Sequence, residues 1–244
     1  MAKAHSSLVF CLLALALVRF AQAKCTNGYT FLGIKELSEK DKQKLLDFHN
    51  KFRELTAAGE APAPKGEDGR ERRQPPAANM LELTWHKKAE KQAYKWARTC
   101  EWKHNNATDK AGNSMGQNLG RKMSTEKTDV DDTFDKWSYD LVRGWFDEAK
   151  LYKYGSGFSM STGHYTQVVW ANTSQVGCGY SYYMQIDEYN QKWYTGYLVC
   201  NYSPAGNFNN REPYEISKEK CTDPKLESSK NYKHLCVLKK KKKN

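Results

Sequence analysis

Two alternating runs near the C-terminal half constrain the fold more than any other feature of this chain, because a cysteine in each sets how they face. Val176, Cys178, Tyr180 and Tyr182 alternate with Gly177, Gly179 and Ser181. Tyr194, Leu198, Cys200 and Tyr202 share one side of the second run. Period two of this kind marks strands with a buried face. With Met184 to Gln191 as the connection, the runs form a hairpin. Cys178 and Cys200 stand equally far from Tyr189, so a symmetric hairpin places them opposite each other, at a separation that suits a disulfide.

A structural disulfide belongs to an oxidising compartment, and the N-terminus agrees. Lys3 is followed by an apolar run from Leu8 to Val18 and by the small-residue cleavage site Ala21-Gln22-Ala23. That run is too short to cross a bilayer, so residues 1–23 read as a cleaved signal peptide and the rest as a secreted, extracellular chain. Of seven cysteines, Cys11 leaves with the signal. Cys25, Cys100, Cys178, Cys200, Cys221 and Cys236 remain, an even number without CxxC spacing. Three structural bridges are expected, rather than a zinc or redox role. Their pairing is open, apart from Cys178 with Cys200 and a local loop closed by Cys221 with Cys236.

The formal charge is +11, and Lys239, Lys240, Lys241, Lys242 and Lys243 form an unbroken run before Asn244. Such a block repels itself. It reads either as a solvated tail or as an anchor for heparin-like glycans or an acidic membrane surface, at about 1 kcal/mol per lysine. Nucleic acid is excluded as a partner by the exported character of the chain and the lack of any nucleic-acid motif.

Upstream of the hairpin the period is helical. Residues 24–37 are an extended lead-in. Ser38 offers an N-cap for a helix with Leu45, Phe48, Phe52 and Leu55 on one face, ending near Ala58-Gly59. Glu60 to Pro76 is a long exposed loop rich in Pro, Gly and charge. Thr84 caps a second helix whose stripe is Trp85, Ala89, Ala93, Trp96 and Cys100, small enough for another layer to approach closely. A third helical region spans 131–153, with Phe134, Trp137, Leu141, Trp145 and Tyr152 on its apolar stripe. Glu148 falls on that same stripe, where a carboxylate is costly unless paired. A fourth, shorter helix starts after Thr162 and carries His164 and Trp170.

Helices followed by a stapled hairpin suggest an α+β layer fold, and several segments give it a family. Gly163-His164-Tyr165-Thr166-Gln167-Val168-Val169-Trp170 and Tyr197 to Phe208 (YLVCNYSPAGNF) resemble the two signatures of the CAP superfamily, which joins cysteine-rich secretory proteins, antigen 5 and pathogenesis-related proteins. His49-Asn50-Lys51-Phe52-Arg53 is similar to its HNxxR element. Leu83-Thr84-Trp85, Trp96-Ala97 and Gly116-Gln117-Asn118-Leu119 add to the match, which covers 38–209. Gln74-Pro75-Pro76-Ala77-Ala78-Asn79-Met80, and Gly179 directly after Cys178, resemble the antigen 5 branch of arthropod venoms and saliva. Residues 210–238, with their cysteine pair, and the lysine-rich tail at 239–244 depart from that branch.

The resemblance implies a three-layer α-β-α sandwich and pairs Cys25 with Cys100 and Cys178 with Cys200, leaving Cys221 with Cys236. It implies a cleft tetrad at His104, Gln117, Glu148 and His164. In the family two histidines and two acids meet there and hold zinc in some members. Here His104, Glu148 and His164 could coordinate zinc with an open fourth position, or the histidines could satisfy Glu148 through hydrogen bonds alone. Gln117 replaces an acid, which weakens cation binding or removes a general base.

No HExxH, G-x-S-x-G, P-loop or free thiol is present, and capping accounts for Ser161 near His164. Of three sequons, Asn106 lies in a polar loop and is the expected glycan carrier, whereas Asn201 sits on a strand where packing is expected. The expectation is a secreted, non-catalytic venom or salivary protein that needs no cofactor and binds a host target or a lipid or sterol. The alternatives are a metal-dependent hydrolase using His104, Glu148 and His164, and adhesion through the lysine tail.

Overall fold

The computed structural model describes residues 25–240. The signal peptide read over 1–23, and Lys241, Lys242 and Lys243 of the tail, lie outside them. Among the described residues the strands are β1 (Thr30–Lys35), β2 (Pro62–Ala63), β3 (Arg72–Arg73), β4 (Thr84–Trp85), β5 (Gly116–Ser124), β6 (Gln175–Ile186), β7 (Lys192–Ser203), β8 (Leu226–Ser228) and β9 (Cys236–Leu238). The α-helices are α1 (Glu39–Ala57), α2 (Lys87–Ala97), α3 (Val130–Asp147) and α4 (Gly163–Val168).

The central sheet runs β1-β6-β7-β5, with β4 added parallel to the start of β6. The β6–β7 hairpin is longer than its alternation suggests, reaching Ile186 and Lys192 around a connection of 187–191. Cys178 pairs with Cys200 in register and bonds to it across a Cα–Cα distance of 4.1 Å. The other bridges are Cys25–Cys100 and Cys221–Cys236.

Two cores flank the sheet, giving the α-β-α layering. On one side Tyr180, Leu198, Cys200 and Tyr202 pack with Leu45 and Phe52 of α1, Phe134, Trp145 and Phe146 of α3, and Tyr165 of α4. On the other, Tyr183, Tyr197, Val199 and Leu119 pack with Ala93 and Ala97 of α2. The alanine stripe of α2 does let the layers close. A Cβ on Gly177 would lie 2.3 Å from the backbone nitrogen of Glu90, and one on Gly179 would lie 2.4 Å from the Cα of Tyr94. The helix backbone rests on bare strand, which is why glycine stands at both positions.

Helix starts follow their caps. Ser38 accepts from the Asp41 backbone while Asp41 accepts from that of Ser38, a reciprocal capping box on α1. Thr84 does not cap α2. It pairs with Gln175 in β4, its hydroxyl donates to the Ser174 carbonyl, and His86 takes the cap position without a side-chain bond. The lead-in is a sheet strand rather than a loose segment, since β1 pairs with β6. Trp170 lies beyond the end of α4, which stops at Val168.

The HNxxR residues act inside the core. Arg53 is fully buried and its guanidinium donates to the carbonyls of Leu81, Val168, Trp170, Ala171 and Thr173, at 2.5 to 3.2 Å. Burial pushes its pKa down to about 9. Asn50 exchanges two hydrogen bonds with the Leu83 backbone. One helix thereby fixes two loops that carry no regular structure of their own.

Candidate functional site

The cleft forms where the C-terminal end of α3, the N-terminus of α4 and the start of β5 meet. Glu148 is the residue that follows α3, three positions after Trp145. Its Oε1 accepts from His164 Nδ1 at 2.7 Å, and its Oε2 accepts from the backbone N–H groups of His164 and Tyr165 at 3.0 and 3.1 Å. The carboxylate therefore caps the first turn of α4 and orients the imidazole at once. The carboxylate singled out by the apolar stripe is paired, as its position requires. The indole of Trp145 stacks on His164 at 6.2 Å and donates from Nε1 to the Leu119 carbonyl.

His104 is exposed and held differently. Its Nδ1 donates to Gln117 Oε1 at 3.0 Å, an oxygen that also accepts from the Asn105 backbone. Gln117 Nε2 donates to the side-chain oxygens of Asn105 and Asn201 at 2.7 and 2.9 Å. An amide is the group suited to this position, because it must accept on one side and donate twice on the other. A carboxylate could accept from His104 but would face the oxygens of Asn105 and Asn201 with no proton to offer.

The four residues thus form two hydrogen-bonded pairs, His104–Gln117 and Glu148–His164. His104, Gln117 and His164 line one small cavity of about 100 Å³ together with Phe158, Met160 and Asn207. Both partners of Nδ1 are acceptors, so in the neutral rings each Nε2 keeps its lone pair and neither has a protein partner among the described residues. The three-residue zinc site read from the sequence does not fit. Both oxygens of Glu148 are engaged on α4, Gln117 brings no charge, and among the described residues no group of three or more His, Cys, Asp or Glu side chains is placed to hold a metal ion.

The two signature segments interlock beside this cavity. Gln167 accepts from the Gly206 backbone at 2.9 Å, and a Cβ on Gly116 would lie 1.9 Å from its Oε1. Asn207 Nδ2 donates to the Gly163 carbonyl and its oxygen accepts from Thr166. Glycine at 116 and 206 is thus the condition for one amide to join β5, α4 and the segment after β7. Ser161 makes no bond to His164; its hydroxyl lies 3.0 Å from that of Ser159, in the turn that leads into α4. Asn106 is exposed, while Asn201 is buried and bonded to Gln117 and the Ala89 carbonyl.

Sequence reasoning did not find a second, larger hollow beside the cavity. A groove of about 480 Å³ runs between β5 and α3, floored by Leu119, Gly120, Leu141 and Trp145 and reaching Glu148 and His164. Trp102 and Arg121 stand at one rim, with the guanidinium 4.5 Å from the indole centroid. At the other, Lys122 meets Asp140 at 2.5 Å. The one available signal was Gly144, a glycine in the middle of an amphipathic helix.

Comparison with known proteins agrees with this architecture. A profile described as CAP, the cysteine-rich secretory protein family, matches residues 46–202. A salivary antigen-5 from Dipetalogaster maximus is 49% identical over 247 residues, covering 100% of this chain and 94% of that one. A venom allergen 5 from Vespula flavopilosa is 40% identical, over 73% of this chain and 82% of its own length. Among solved structures, NaASP2 with Zn2+ superposes with a TM-score of 0.60 at 28% identity, covering 84% of this chain and 100% of that one. The profile spans more than half of the chain and the salivary relative covers all of it at 49% identity: this chain belongs to the CAP family of cysteine-rich secretory proteins.

Proposed function

We propose that this chain is a secreted CAP protein of the salivary or venom antigen 5 type that acts by binding rather than by catalysis. Its ligand, on this reading, is a small apolar molecule such as a fatty acid or sterol, lodged in the groove between β5 and α3. The names of its relatives, a salivary antigen-5 and a venom allergen 5, support the setting. They also support an extracellular location.

The observation that carries the binding reading is Gly144. It lies inside the 18-residue helix α3, exposed, and a Cβ there would meet nothing within 4 Å. Glycine inside a helix costs about 0.5–1 kcal/mol relative to alanine. No packing constraint in the protein itself requires it, but it lines the groove, and any larger side chain would enter that space. Apolar walls with a few polar groups at one end are the usual make-up of a small-molecule site. Catalysis by general base is disfavoured by the same geometry. Glu148 is held by three donors, and the second acid is replaced by Gln117.

The reading is tested by mass spectrometry of organic extracts from natively purified protein. It expects a bound lipid or sterol, or a mass shift after adding one under native conditions. A clean extract and no shift with either ligand class would contradict it.

A further inference from the structure

The loop before Gln74 has no part in the cleft, and it carries Arg70-Glu71-Arg72-Arg73. We propose that this segment is a cleavage site for a subtilisin-like endoprotease that reads arginine at the first, second and fourth positions before the bond, cutting between Arg73 and Gln74. Water adds across that peptide bond: the carbonyl carbon of Arg73 takes the hydroxyl and becomes a carboxylate, and the nitrogen of Gln74 leaves as an amine.

Three observations carry the assignment. Glu67 through Arg73 are all exposed, seven consecutive residues without a buried side chain. The segment is held by two ladder pairs, Pro62 with Arg73 and Ala63 with Arg72, and by a turn in which Gly66 N–H donates to the Arg70 carbonyl and Gly69 N–H to the Gly66 carbonyl. Exposed side-chain contacts, Lys65 with Glu71 and Arg73 with the Glu60 carbonyl, add to these. Exposed loop tips of this kind are preferred sites of nicking, and local opening requires few contacts to break. The guanidinium groups are also available. Arg70 approaches Asp68 only at 3.7 Å with its side chain 86% exposed, neither Arg72 nor Arg73 is in an ion pair among the described residues, and Arg73 makes one long exposed bond, from Nη1 to the Glu60 carbonyl at 3.3 Å. Entry into the acidic pockets of such a protease costs Arg72 and Arg73 no carboxylate partner, and costs Arg70 only its long, exposed contact with Asp68.

The chain on the far side of that bond is anchored well enough to survive the cut. Gln74 is buried, its backbone N–H donates to the Ala61 carbonyl, and its side chain donates to the carbonyls of Pro62, Ala149 and Tyr152. The piece ending at Arg73 carries α1, whose Leu45 and Phe52 lie in the core, and Cys25, bonded to Cys100 beyond the cut. Cleavage therefore yields a two-chain protein joined by one disulfide and by the core, rather than a released peptide.

The experiment treats the secreted full chain with a purified subtilisin-like proprotein convertase, beside Arg70→Ala and Arg73→Ala variants and a free peptide spanning 68–75. The expected result is a single cut that separates two fragments only after reduction, the larger beginning at Gln74 or its pyroglutamyl form. Either substitution should slow cutting by at least about tenfold, with thermal midpoints equal to that of the unaltered chain. An uncut protein alongside a cut peptide, equal rates in the variants, or fragments that part without reduction would each overturn the proposal. Because the protease is supplied, the outcome does not depend on the ligand or on the route of export.

Discussion

His49 shows how one buried side chain ties the fold to the cleft and to pH. Its Nδ1 faces the Leu45 carbonyl at 2.7 Å, so that nitrogen must carry the proton, and Nε2 accepts from the Tyr202 hydroxyl at 2.8 Å. Asn118 donates both to that hydroxyl and to the carbonyl of His164. Burial pushes the His49 pKa down from 6.5 to about 4. Between those values the unfolded chain binds the proton that the folded chain refuses. Stability linked to His49 is therefore complete above about pH 6.5 and is lost as pH falls through 4, a difference of about 3 kcal/mol. Urea unfolding between pH 4 and 7 should show that slope in the unaltered protein and a flatter one in His49→Gln; identical slopes would contradict the assignment. At this scale the sequence was informative where a residue broke a pattern. Glu148 on an apolar stripe announced a paired carboxylate, but that its partners are one imidazole and two backbone N–H groups depends on where α4 lands, which no local period encodes.

At the scale of elements, glycines divide into those that let layers touch and one that keeps a space open. Gly177 and Gly179 lie against the backbone of α2, so alanine at either must shift a helix, at a cost of about 2 kcal/mol or more. Gly144 faces open space, and alanine there should stabilise α3 by about 0.5–1 kcal/mol. Chemical denaturation of the three alanine variants checks this contrast; a loss at Gly144 matching that at Gly177 would refute it. The hairpin and α1 were legible because alternation and a capping box are local signals. Strands β1 and β5 were not. Every residue of β1 is half-buried, and β5 mixes glycine, amides and cations, so neither shows clean alternation. Their strand character comes from pairing with β6 and β7. Thr84 misled for a related reason, since a good capping residue was claimed by a parallel bridge to Gln175.

For the whole molecule, three bridges fasten the chain at different reach. Cys25–Cys100 spans 75 residues and ties the segment before β1 to the turn after α2; Cys221–Cys236 spans 15 and closes the C-terminal loop. By loop closure, replacing the first pair with alanines should cost about 4 kcal/mol and the second about 3 kcal/mol. Thermal unfolding of the two double variants should rank in that order, and the reverse ranking would show that strain or packing outweighs chain entropy. The C-terminal segment is also packed in, with Leu235 and Tyr214 in the main core and His234 bonded to Glu54 at 2.7 Å. Family membership was legible because its signatures are local strings, whereas the groove between β5 and α3 exists only once both elements are placed.

The most direct test is a calorimetric titration of the delipidated protein with a long-chain fatty acid and with a sterol, beside Gly144→Leu. One of the two should bind the unaltered protein with one-to-one stoichiometry, at least about tenfold more tightly than Gly144→Leu, while the variant melts no lower. Equal affinity in both proteins, or no heat of binding from either ligand, would contradict a binding groove held open by Gly144.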